Sequence, residues 1–267
     1  MTGAIRSLLF GMALFAGAGW PAAMAAQALR IAVNPIYPPL EFRDPVTDTL
    51  TGFDIDFGRA LAARMGMTAK WEETSFPQMI PSVQSGRTDL IISGFSDLPK
   101  RRALLDFVPY LQSGAQVLVL KADPVVRAED LCGRPIAASR ATSFPAIIRA
   151  WSQMHCARAG RPDMIFYPSE SGADARIQLL QGRVAAMVQG RETVGYFIDI
   201  THHAFRRLGP PLSDMTLAIA LPKGAAGLQA SLRMAFASLR ADGTYARLLR
   251  RWALDQDAIT PSDGHQP

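Results

Sequence analysis

The segment Ser93–Tyr110, SGFSDLPKRRALLDFVPY, gathers in one short turn the residue types that hold an anion. It follows an apolar run of strand character. Ser93 and Ser96 offer hydroxyls, Gly94 lets a ligand approach the backbone, and Arg101 carries a planar fork of donors suited to the two oxygens of a carboxylate. On its own the stretch also reads as a surface loop with a solvated arginine. Arg102, adjacent but offset, is read as surface.

These side chains need elements to aim them. Leu29–Val33 is a short apolar β-type run, and Phe53–Met65 repeats apolar residues at helical spacing, with Asp54 and Asp56 in its first turn to suit the helix dipole. A strand near Ala69–Glu72, a helix near Pro77–Ser85 and a strand at Asp89–Ser93 complete a β-α-β-α-β series. That order predicts an α/β fold, a mostly parallel sheet with helices on both faces.

Ala115–Lys121, a β-type run with no helix before it, looks like a strand crossing to a second lobe. A second series follows: strand Ile136–Ser139, helix Ser143–Met154, strand Met164–Tyr167, helix Ala173–Gln181 and strand Ala185–Gln189. Thr216–Leu221 looks like the return crossing, before helices Ala225–Leu239 and Thr244–Trp252. The expected division is a leader over 1–25, a first lobe from 26–114 and 217–267, and a second lobe over 115–216. Lobes joined by two strands hinge about a cleft, where small ligands bind. There are no internal repeats, and only the tail after Asp257 looks loose.

At 267 residues the chain suits one large or two medium α/β domains. Its start, with Arg6, the apolar stretch LLFGMALFAGAGW and the small residues Ala23-Met24-Ala25, reads as a secretory signal with its cleavage site, an uncleaved anchor being the alternative. No cysteine follows the apolar run, which argues against a lipid anchor, and no later segment is apolar enough to span a membrane. Cys132 and Cys156, an even pair in an exported chain, are expected to be bonded to each other; two thiols without nearby histidines make a poor zinc site. The net charge of +5 comes from scattered arginines without a basic block or interleaved aromatics, so no nucleic-acid partner is expected.

In order and spacing, IYPPLEF (36–42), LTGFDIDFGRALAARMG (50–66), SFPQMIPSVQSGRTDLIISG (75–94), the Ser93–Tyr110 segment and LRADGTYARLLRRW (239–252) resemble the solute-binding proteins of polar amino acid ABC importers, the type II clamshell family called solute-binding family 3. The resemblance covers nearly all of the chain after residue 28. It implies a two-lobed clamshell, each lobe a mostly parallel sheet flanked by helices. In that family an arginine five residues before an Asp-Phe pair holds the ligand's α-carboxylate, and Arg101 stands so before Asp106-Phe107. A threonine often found three residues before the arginine is here Leu98, while Ser96 keeps a ligand-contacting position. The second lobe's hydroxyl-bearing turn reads Ala141-Thr142-Ser143, whose residues could serve the carboxylate, cap the helix, or both. Tyr37 matches an aromatic that stacks on the ligand and Phe76 an apolar wall, although core packing would also explain either.

The departure lies in GRVAAMVQGRETVGYF (182–197). Ala185 stands where an aspartate is common, and Gly190 where a second aspartate pairs with the ligand's ammonium. Gln189 is counted with the ligand residues, and Glu192 is either the replacement acid or a surface charge at a helix start. The implied role is a periplasmic monomer without cofactor that binds a small carboxylate-bearing solute, an amino acid or derivative, for an inner-membrane ABC permease. A dehydratase-like enzyme of the same fold would need an acid or base in the cleft, from Glu41, Asp97 or Glu192, since His155, His202, His203 and His265 suggest none. A sensor ectodomain is a third reading, disfavoured because no membrane helix follows.

Overall fold

The computed structural model describes residues 27–259; the expected leader lies outside the described residues, as does most of the tail. Strand Ala28–Val33 pairs in parallel with Thr68–Glu73 on one side and Leu90–Ile91 on the other. Next to Leu90–Ile91 runs Asp214–Pro222, antiparallel, and beside that the 16-residue strand Leu105–Leu120. The far half of that long strand pairs with Ala186–Gly190, which continues in parallel through Pro135–Ser139 to Ile165–Ser169. Two mostly parallel sheets therefore share one strand, giving the two-lobed α/β architecture.

Both faces of each sheet are covered. In the first lobe, Phe57, Leu61, Leu232, Phe236 and Leu249 from helices Phe53–Arg64, Ala226–Ala241 and Thr244–Arg251 pack on one face, and Met79 and Val83 of helix Met79–Gln84 on the other. In the second, Phe144 and Ile148 of helix Phe144–His155 cover one face, and Ala175 and Leu179 of Gly172–Leu180 the other. Burial on both faces explains the continuous apolar runs of the central strands.

The crossing strand departs from expectation, beginning at Leu105 rather than Ala115. Pro109 and burial on both faces hide it in the sequence. The register against the return strand shifts between Leu217 and Ala218, which pair with Leu111 and Pro109, so Tyr110 is the extra residue of a bulge that accommodates the proline. The helix Val194–Ile200 follows Glu192, while the short helix Pro99–Arg102 and a small antiparallel sheet of Ile36–Tyr37, Glu41–Arg43 and Leu50–Thr51 are unforeseen.

Cys132 and Cys156 form the expected disulfide, joining the segment before strand Pro135–Ser139 to the end of helix Phe144–His155. Its closed loop of 24 residues stabilises the native state by about 3 kcal/mol in the chain-entropy model. Unfolded without reductant, the mature protein is expected to show no titratable thiol, and the Cys132→Ser/Cys156→Ser double variant to lose about that much stability in urea. Two free thiols would contradict the pairing.

Candidate ligand-binding cleft

A cavity of about 330 Å³ lies between the lobes. The first lobe contributes Tyr37, Phe76, Ser93, Gly94, Ser96 and Arg101 to its wall, and the second Thr142, Ser143, Gln189 and Glu192. All ten residues singled out in the sequence thus border one space. Leu98 does not.

Arg101 sits in the helix Pro99–Arg102, just after the bridge between Ser96 and Leu217. One guanidinium nitrogen donates to the Ser96 carbonyl at 2.8 Å, and the group lies 3.9 Å from the Phe95 ring centre and 5.7 Å from that of Phe76. No carboxylate stands within ion-pairing distance of it among the described residues. The acid nearest in sequence, Asp97, is gripped through two hydrogen bonds by exposed Arg102. Burial pulls the Arg101 pKa down to about 10 against the opposing pull of Asp97. Arg101 is therefore a charged, half-buried cation without a counterion, a state that an incoming anion relieves.

In the second lobe, strand Pro135–Ser139 runs into helix Phe144–His155. The Thr142 hydroxyl donates to the Ser139 carbonyl at 2.8 Å and accepts from the Phe144 amide at 3.3 Å. Ser143 holds the N-cap position without a side-chain cap bond; among the described residues its hydroxyl's partner is the Met215 sulfur at 3.8 Å. It remains available to an anion.

Glu192 is 3% exposed, which removes the surface-charge reading. Its Oε1 accepts from the Tyr37 hydroxyl at 2.8 Å and its Oε2 from the Ser113 hydroxyl at 2.6 Å, so it ties both lobes to the shared strand. Burial pushes its pKa up to about 7, opposed by these hydroxyls, and raises that of Tyr37 well above the ordinary phenol value. Gly190 has φ −61° and ψ 136°, a backbone open to any residue. A β-carbon there would stand 2.0 Å from Glu192 Oε1 and 2.3 Å from the Tyr37 hydroxyl, so an added side chain would have to displace that hydrogen bond. The Glu192 carboxyl thus lies beside the position where the resemblance expects an aspartate.

Glu41 lines the cavity floor with its carboxyl buried. Its Oε1 accepts from Ser93 at 2.8 Å, and one oxygen of the neighbouring Asp54 accepts from the Gly94 amide and the Tyr110 hydroxyl, each at 2.8 Å. Burial raises both pKa values, that of Glu41 further because of the Asp54 charge. The remaining oxygen of each carboxyl is buried with no hydrogen-bond partner among the described residues. Asp54 also holds Gly94, whose φ is +51° and on which a β-carbon would lie 2.9 Å from the Tyr37 ring. Asp54 thus does more than suit a helix dipole, and Asn34, Ser113, Ser139 and Ser171 join the wall unforeseen. They are polar residues far apart in the chain, Ser113 inside the shared strand and the others at or just past strand ends, with no local pattern to flag them. Asp97 and the described histidines are absent from the wall; His155 stacks on Trp151 at 4.4 Å.

A family profile for bacterial extracellular solute-binding proteins, family 3, matches residues 29–255. Among curated proteins, the chain is similar to the arginine-binding protein ArgT of Corynebacterium glutamicum, 26% identical over 241 residues spanning 90% of this chain and 79% of that protein. It is also similar to the L-cystine-binding protein TcyJ of Escherichia coli, 28% identical over 227 residues, 84% of this chain and 82% of that one. Among solved structures, an ancestral arginine-binding protein bound to arginine superimposes with a TM-score of 0.75 at 25% identity, over 84% of this chain and 97% of that one. These relatives are named as binding proteins rather than as enzymes. With the two-lobed fold and the matched residues together, the chain belongs to the bacterial extracellular solute-binding proteins, family 3.

Proposed function

We propose that this chain is a periplasmic receptor that closes on a free α-amino acid and delivers it, as a monomer, to an ABC permease in the inner membrane. The observation that carries the reading is Arg101, a partly buried cation without a counterion in a cavity between two lobes. The ligand carboxylate bridges Arg101 to Ser143 across the cleft, and its ammonium meets Glu192, so the closed form gains contacts that the open form lacks. Residues 26–114 with 217–267 and residues 115–216 act as the moving bodies, flexing where the shared strand and the return strand pass between the sheets. The names of ArgT and TcyJ support an amino acid as the ligand class. Among the described residues no helix is long and apolar enough to cross a membrane, which fits an exported receptor.

Calorimetry against free α-amino acids, their methyl esters and simple carboxylates tests this reading. Free amino acids are expected to bind and their esters to fail. Failure of every carboxylate-bearing compound would overturn it.

A further inference from the structure

We propose that the cavity selects amino acids whose side chain is uncharged and both donates and accepts hydrogen bonds, as an amide does, and that it discriminates against cationic side chains. The inference rests on the amino-acid reading above and narrows it.

The charged residues of the wall are Glu41, Arg101, Arg140, Glu170 and Glu192. Arg140 and Glu170 neutralise each other at 2.7 Å on the exposed rim. Glu41 gives one oxygen to Ser93, and burial together with the neighbouring Asp54 charge pushes its carboxyl toward the neutral form. Glu192 answers the ligand ammonium and Arg101 its carboxylate. A zwitterion with a neutral side chain therefore balances the site, whereas a second cation would enter with no carboxylate left to meet it, a heavily penalised state in a buried space.

Gln189 states the complementary requirement. It is 1% exposed, yet among the described residues neither its Nε2 nor its Oε1 has a hydrogen-bond partner. Such groups are rare in native structures and mark a missing partner. The side chain packs closely against the start of helix Gly172–Leu180, where a β-carbon on Gly172 would lie 2.1 Å from Nε2. A ligand amide brings both an acceptor for Nε2 and a donor for Oε1. A guanidinium carries donors only and leaves Nε2 unpaired; a carboxylate accepts only and leaves Oε1 unpaired.

The test is calorimetry on the mature protein at pH 8 with L-glutamine, L-asparagine, L-arginine and L-lysine. At least one amide-bearing amino acid is expected to bind ten or more times as tightly as either cationic one, an order of magnitude typical of one unmatched buried group (~10-fold). Gln189→Glu, which adds a carboxylate at nearly unchanged shape, is expected to move the glutamine-to-arginine ratio toward arginine by a similar factor. Should that variant fail to fold, the wild-type ratio and the loss of amide preference in Gln189→Leu decide. Arginine or lysine binding as tightly as the amides, or variants with an unchanged ratio, would overturn this proposal while leaving the receptor reading intact. If no amino acid binds and Arg101→Ala changes nothing, the receptor reading falls with it.

Discussion

Replacing Arg101 by alanine is expected to abolish ligand binding while leaving the unliganded fold as stable as before, or more so. Truncating one partner of a desolvated charge pair typically costs about 2 to 5 kcal/mol, roughly 30-fold to several-thousand-fold in affinity. Among the described residues the protein loses one side-chain hydrogen bond, to the Ser96 carbonyl, and the guanidinium contacts with the Phe95 and Phe76 rings, while it is relieved of a cation that burial disfavours. Arg102→Ala should be nearly silent, because its pair with Asp97 is exposed on the arginine side and such pairs contribute about 0 to 1 kcal/mol. Calorimetry reads the first effect, and the ligand-induced rise in melting temperature should vanish with it. Equal losses from the two substitutions would mean that the anion sits elsewhere.

The second large effect is a proton. At pH 6 the binding of an α-amino acid is expected to expel most of one proton from the protein, seen in calorimetry as a heat that varies with the ionisation enthalpy of the buffer. Burial pushes the Glu192 carboxyl up from 4.5 to about 7, so it is mainly protonated at pH 6 and must ionise to meet the ligand ammonium. A carboxyl whose folded pKa is raised holds its proton more tightly folded than unfolded. The empty protein therefore loses stability through this group as pH rises from about 4.5 to about 7. Ligand affinity runs the other way, climbing about tenfold per pH unit up to that pKa and levelling above it. Glu192→Gln should abolish the proton release and weaken an α-amino acid at least tenfold more than its des-amino analogue, the scale of a lost charge-assisted hydrogen bond (~1.5–3 kcal/mol). Gly190→Asp should not compensate, since its side chain would begin on top of the Tyr37 and Glu192 oxygens. Tight amino acid binding without proton release, unaltered in Glu192→Gln, would place the ammonium partner outside this group.

The limits of the sequence follow from what each residue's role depends on. Arg101 was legible because the motif that carries it, Arg101 five residues before Asp106-Phe107, is local in the chain; Asp106 itself is tied across the fold to the Lys223 ammonium and the Gly224 amide, anchoring the start of the long strand just after the short helix. The missing aspartate at Gly190 was visible as a departure, but what adjoins that position is the hydrogen bond between Glu192 and Tyr37, 155 residues apart. Glu192 stayed ambiguous for the same cause, since its partners Tyr37 and Ser113 come from distant elements. The carboxyl pair of Glu41 and Asp54 depends on Gly94 and Tyr110 meeting them in space. Periodicity gave the helices well because their apolar stripes are local, whereas the first ten residues of the shared strand have no alternation to read.

The placement of strand Asp214–Pro222 dictates the order in which the polypeptide can assemble. It lies between Leu90–Ile91 and the near half of Leu105–Leu120, so until residue 222 is available the first sheet is split in two. The second sheet needs only strands that begin at the far half of Leu105–Leu120 and end at Arg207. As the chain emerges from its N-terminus, the middle of the molecule is therefore complete before the beginning is. The N-terminal segment must wait with Ile31, Phe53 and Phe57 uncovered until its closing strand and last helices arrive, a delay set by contacts distant in sequence. A chain cut short before residue 222 would keep an intact second lobe and expose the apolar face of an unfinished first one.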